Sequence, residues 1–62
     1  MTATQFNTLE IGSSVMVAKG ASTLIRRKSK AIVSGVDTLL GKIWFNYQHG
    51  SANTDYADVE LA

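Results

Sequence analysis

Four of the six basic residues in this 62-residue chain lie within the segment LIRRKSKAIV, residues 24–33. They are Arg26, Arg27, Lys28 and Lys30. Arginine and lysine donate charge-assisted hydrogen bonds to phosphate and carboxylate groups, and arginine can do so bidentately. Apolar pairs at 24–25 and 32–33 flank the charges. The spacing therefore predicts a basic, anion-binding loop whose apolar flanks anchor it to the rim of the fold.

The net charge is only +1, but the charges are unevenly distributed along the chain. Residues 11–36 contain five basic residues and no acid, whereas three of the five acids fall in the last eight residues. A local field of this kind steers charged partners more than the total charge does. The candidate binding residues are Lys19, Arg26, Arg27, Lys28, Lys30, Lys42 and Trp44.

Several classes of protein are disfavoured by composition. The chain has no cysteine and one histidine, His49, so neither disulfides nor a structural zinc site is expected. No nucleophile elbow, phosphate-binding loop or dinucleotide fingerprint occurs, which predicts a protein that is not an enzyme and uses no cofactor. No apolar run approaches the roughly 20 residues of a membrane span. The N-terminus lacks the features of a secretory signal, so we expect a cytoplasmic protein.

Three segments have the alternation of strands: SSVMVAK (13–19), KAIVSGV (30–36) and GKIWFNY (41–47). QHGSANTD (48–55) is rich in turn-forming residues and predicts a polar loop. YADVELA (56–62) predicts one tight turn and a short strand. Short strands without an intervening helix indicate an all-β fold, and closing the sheet into a barrel would remove its edges.

The stretches LEIGSSVMVAKG (9–20), SKAIVSGV (29–36), KIWFNY (42–47) and YADVELA resemble the strands of small SH3-like barrels of the KOW and Tudor kinds. The resemblance implies about five short strands, with a 3₁₀ turn before the last strand. Gly35, inside a good strand, indicates a β-bulge or bend. The chain departs from the pattern at Leu39 and Leu40, where a simple hairpin would be polar.

The chain is expected to form a single barrel domain over residues 9–62, preceded by an N-terminal arm over residues 1–8. Thr2 and Gln5 have the spacing of a capping box and predict one frayed helical turn in that arm.

Trp44 is predicted to point outward, because Ile43, Phe45 and Tyr47 form the larger apolar set of their strand. An outward tryptophan is either covered by a loop or exposed as an anchor for a partner. The basic loop, a partner, or Phe6 with Leu9 could each cover it.

The leading functional hypothesis is a non-enzymatic module that binds nucleic-acid phosphates through the basic loop, with Trp44 available for stacking. The alternative is a protein-interaction module that docks on an acidic surface. Such a module could be an adaptor, a small subunit of a complex, or a virus-encoded inhibitor of a host enzyme, for instance from a phage. Self-association into a homo-oligomer is a third hypothesis. The sequence leaves open whether Leu39, Leu40 and Trp44 are core or interface.

Overall fold

Five antiparallel strands form one sheet in the computed structural model, which describes residues 1–23 and 25–62. The strands are β1 (Ser14–Val17), β2 (Ser29–Asp37), β3 (Lys42–Tyr47), β4 (Gly50–Asp55) and β5 (Val59–Leu61). A short helix, α1 (Ala3–Asn7), precedes them, and a 3₁₀ turn (Tyr56–Asp58) separates β4 from β5. The strand order is β4-β3-β2-β1-β5, so β1 pairs with both the second and the last strand. The predicted all-β class, the five strands and the 3₁₀ turn are confirmed.

Alternation along the strands buries one face of the sheet. Val15 and Val17 on β1 and Ile43 and Phe45 on β3 have no exposed surface, whereas their neighbours Ser14 and Trp44 are exposed. Burial of each large aliphatic or aromatic side chain stabilises the folded state by roughly 1.5–3 kcal/mol relative to leaving that side chain exposed. The core consists of Phe6, Val15, Val17, Ile25, Ala31, Val33, Ile43, Phe45 and Val59.

The pairing of β2 with β3 shifts register between Val33 and Gly35. This confirms the irregularity predicted at Gly35. Trp44 pairs with Gly35 across the shift and keeps 38% of its surface exposed. The outward orientation of Trp44 is therefore also confirmed.

The prediction of a polar loop over residues 48–55 is wrong in part, because Gly50–Asp55 forms strand β4. Its sequence, GSANTD, has little intrinsic strand propensity. Six consecutive residues nevertheless pair with β3, from Tyr47 opposite Gly50 to Lys42 opposite Asp55. Thr54 is the buried residue of β4, and its hydroxyl donates to the Asp58 carboxylate at 3.2 Å. Pairing with β3, which has a high strand propensity, has outweighed the low strand propensity of β4 itself.

The ladder of strands is open, in contrast to the closed barrel that the sequence favours. Within the described residues no pairing joins β4 to β5. The N-terminal amino group of Met1 donates to the backbone carbonyls of Tyr56 and Val59, which places the N-terminus beside the 3₁₀ turn and the start of β5.

The N-terminal arm is joined to the core through α1. Thr2 and Gln5 form the predicted capping box, with Thr2 Oγ1 accepting from the Gln5 N–H at 3.2 Å. Phe6 is 4% exposed and stacks on Tyr56, with ring centroids 4.7 Å apart. Phe6 therefore lies in the core and does not cover Trp44. Among the described residues no helix is long and apolar enough to cross a membrane.

Leu39 and Leu40 occupy the turn between β2 and β3 and are 96% and 67% exposed. Both backbone N–H groups donate to the Asp37 carboxylate at 3.0 Å, which holds the turn in place. The two leucines are therefore outside the core of this chain.

Candidate anion-binding groove

The basic segment leads into β2, and a buried isoleucine anchors its beginning. Ile25 is 2% exposed and belongs to the core. Its backbone carbonyl accepts from Gly20 at 2.8 Å, and its N–H donates to Ser22 at 3.0 Å. At the other end of the segment, Ser29 Oγ donates to the Arg27 carbonyl at 2.8 Å. These contacts agree with the predicted anchoring by Ile25, while Leu24 lies outside the described residues. In the second apolar pair Val33 is buried, whereas Ile32 is 42% exposed and does not anchor the segment in the core.

The segment forms one wall of an open groove of about 690 Å³ at one end of the sheet. We call it the basic groove, and its lining consists of Arg26, Arg27, Lys28, Ser29, Lys30, Tyr47, Gln48 and His49. Among the residues that the structure describes, this lining holds four of the predicted binding residues and no acidic residue. An apolar, enclosed cavity would suit a small organic ligand, whereas an open cationic groove suits an extended anion.

The rest of the groove lining comes from the end of β3 and the turn from β3 to β4. The rings of Tyr47 and His49 meet edge to face with centroids 6.1 Å apart. The Tyr47 hydroxyl is buried and has no hydrogen-bond partner within the part of the chain that the structure describes. Sequence reasoning missed these groove residues, since His49 was expected on an ordinary surface loop. The hairpin between β3 and β4 would have been the signal, and it was not recognised because β4 is so polar.

Within the described part of the chain, two of the six basic side chains form ion pairs. Lys28 Nζ lies 2.9 Å from Glu60 Oε2, and Lys42 Nζ lies 3.2 Å from Asp55 Oδ1. The hydrogen bond and the charge of Lys28 lower the pKa of the exposed Glu60 carboxyl below its usual value. No such pair is formed within the described residues by the three remaining cations of the groove: Arg26, Arg27 and Lys30.

The other predicted binding residues lie apart from this groove. Lys19 lines a smaller cavity of about 210 Å³ that also contains Lys28, Asp58 and Glu60. Lys42 begins β3, whereas Tyr47 ends it, so they are about 16 Å apart along the strand. Trp44 lies between them on the outward face. The structure thus brings four of the seven predicted residues together in the basic groove. Lys19 shares a neighbouring cavity with Lys28, whereas Lys42 and Trp44 lie farther along β3.

The groove offers cationic and hydrogen-bonding groups. Within residues 1–23 and 25–62, no group of three or more histidine, cysteine, aspartate or glutamate side chains is placed to hold a metal ion. Guanidinium and ammonium groups on one wall, with hydroxyl and amide groups of Ser29 and Gln48 beside them, match the chemistry of phosphate oxygens.

Comparison of the chain with protein-family models, with curated proteins and with solved structures gives no significant match.

Proposed function

We propose that this protein is a non-enzymatic module that binds the phosphates of a nucleic acid in the basic groove. The observation that carries the proposal is a lining with four cationic side chains and no acidic one. Each bound phosphate releases condensed counterions, which makes such binding favourable and strongly dependent on salt. Because the contacts address the backbone, the binding is expected to be largely independent of base sequence.

The ion pairs determine how many charges the groove offers. Lys28 is held by Glu60, which leaves Arg26, Arg27 and Lys30 to contact phosphate. For three contacts on a single strand, the slope of log K against log salt is about −2. Titration of a labelled oligonucleotide of mixed sequence, followed by fluorescence anisotropy at several salt concentrations, measures this slope. A flat dependence on salt contradicts the proposal.

Neutralising substitutions test which cations act. We expect Arg26→Gln to weaken binding and to reduce the size of the slope by about 0.7, the amount for one lost phosphate contact on a single strand. Lys42→Gln removes the same charge at the far end of β3 and is the matched control. An equal loss in both variants would show a nonspecific effect of net charge and would contradict a site in the groove.

Release of the held lysine is a second test with its own control. Glu60→Gln frees Lys28, so we expect tighter binding and a slope that is larger in size by about 0.7. Asp55→Asn removes the same negative charge and frees Lys42, which lies outside the groove. We expect the salt slope of Asp55→Asn to equal that of the unmodified protein. Exposed ion pairs contribute little to stability, so both variants should fold.

A protein-interaction module is the second candidate, and the Leu39–Leu40 turn favours it. Two large aliphatic side chains stand exposed on a turn that the Asp37 carboxylate holds in place. Exposed apolar groups of this kind are common in surfaces that bind proteins. The basic groove would then face an acidic protein surface. Binding that is weakly dependent on salt and is lost in Leu39→Ala would favour this candidate over nucleic acid.

We also propose that the fold is an open form of the SH3-like barrel. Support comes from the meander of the first four strands, from β1 pairing with both β2 and β5, and from the 3₁₀ turn before β5. An experimental structure in which β5 paired with a different strand would contradict this assignment.

A further inference from the structure

The outward face of β2, β3 and β4 is uncharged over most of its length. Cross-strand partners in an antiparallel sheet share a face. Ile32, Asn46 and Ser51 therefore form one row across the three strands, and Trp44 and Asn53 belong to the next. All five side chains are exposed. We call these five residues the outer face.

The outer face is continuous with the basic groove. Lys30 lines the groove and precedes Ile32 by two positions, which places both on the same side of β2. Gln48 also lines the groove and follows Asn46 by two positions. From Lys30, the level of Trp44 is roughly 15 Å along the strand direction. An extended polymer that enters the groove can therefore continue across this face.

The residues of the outer face suit bases more than phosphates. Trp44 offers an aromatic surface, and Gly35, its partner on β2, has no side chain to cover it. Stacking on an aromatic ring requires a base whose own face is free, which a duplex does not provide. Asn46 and Asn53 carry amides that can both donate to and accept from base edges. The cationic side chains of the adjoining basic groove favour a polymer that carries many negative charges.

We propose that the protein takes single-stranded nucleic acid, with phosphates in the basic groove and unpaired bases on the outer face, where Trp44 stacks on one base. This inference rests on the proposed function, which by itself applies equally to single and double strands. It adds a preference for single strands. It also gives Trp44 a role in binding although Trp44 does not line the basic groove.

Trp44 is the only tryptophan of the chain, so tryptophan fluorescence reports on this position alone. The test titrates the protein with three probes: a single-stranded oligonucleotide of about 10 nucleotides, the duplex of the same sequence, and inorganic polyphosphate, which has no bases. Anisotropy measures binding, and tryptophan quenching measures stacking. We expect the single strand alone to quench the fluorescence, and to bind about 5-fold or more tightly than the duplex at the same salt.

Variants separate stacking from charge. Trp44→Ala is expected to weaken binding of the single strand by about 5- to 100-fold and to leave polyphosphate binding unchanged. Trp44→Phe retains an aromatic ring and should recover a large part of that loss. Leu40→Ala removes an exposed apolar side chain away from the outer face and is the control. Circular dichroism of each variant verifies that the sheet is intact.

The outcomes distinguish the two proposals. Equal affinity for single strand and duplex, without quenching and without an effect of Trp44→Ala, overturns the preference for single strands while phosphate binding in the groove stands. Absence of binding to all three probes overturns the proposed function and this inference with it, and leaves the outer face as a surface for a protein partner.

Discussion

At the scale of single residues, the basic side chains of this protein are unequal. Lys28 and Lys42 form ion pairs with Glu60 and Asp55. Arg26 and Arg27, which line the basic groove with Lys28, form no such pair within the described residues. A count of charges along the chain treats all of them alike. The ion pairs bring together residues 32 and 13 positions apart, so only the folded chain determines which charges remain available to a partner.

The Lys28–Glu60 pair predicts a specific pH dependence. Because Lys28 lowers the pKa of Glu60, the pair contributes stability above the pKa of the unfolded chain. That contribution is lost as the pH falls through the lower pKa of the folded protein. NMR titration of the Glu60 side chain should give a pKa below the usual value for glutamate, and Lys28→Gln should return it towards that value. An unchanged pKa in Lys28→Gln would contradict the ion pair in solution.

At the scale of elements, the strands differ in how far their own sequences specify them. β1 and β3 show clear alternation and were predicted within a few residues. β4 has a polar sequence and forms because β3 offers six residues to pair with. The helix α1 has only five residues, too few to be stable alone, and it is held by the burial of Phe6.

The anchoring of α1 predicts a large effect of one substitution in the N-terminal arm. Phe6→Ala removes a buried ring that stacks on Tyr56, and we expect it to lower the free energy of unfolding by about 3 kcal/mol. Asn7→Ala, in the same helix but exposed, should change it by less than about 0.5 kcal/mol. Urea denaturation followed by circular dichroism measures both. Equal, small effects would show that the arm is detached from the core in solution.

At the scale of the whole molecule, the surface and size are those of a folded single chain. The accessible surface is 4080 Å² for a mass of 6.7 kDa, and a monomeric protein of this mass exposes about 3900 Å². The radius of gyration of 10.1 Å is close to the roughly 10.5 Å of a compact domain of this length. Within the described residues, β4 and β5 form the two ends of the sheet, and the N-terminus contacts the start of β5.

We expect a monomer in solution, because residues of this one chain complete the buried core of the sheet. Size-exclusion chromatography with light scattering should give a mass of 6.7 kDa at low and at physiological salt. A mass of twice this value would contradict the prediction and would support self-association. In that case Leu39→Glu, at the exposed turn, would show whether the two leucines form the contact.

The sequence by itself determined the features that depend on neighbouring residues. These are the alternation of three strands, the irregularity at Gly35, the capping box of Thr2 with Gln5, the outward Trp44 and the cluster of basic residues. Each follows from backbone geometry or composition over a few positions, so it can be read locally.

Only the tertiary structure decided the rest. Four features depend on contacts between residues that are distant in the chain. They are the pairing of β4, the open sheet, the part of the groove lining at Tyr47 and His49, and the ion pairs of Lys28 and Lys42. These features are stabilised by hydrogen bonds and burial between separate segments, which cannot be predicted from the pattern of neighbouring residues. The segment that the sequence predicted to bind anions lines a groove only together with the end of β3 and the β3–β4 turn.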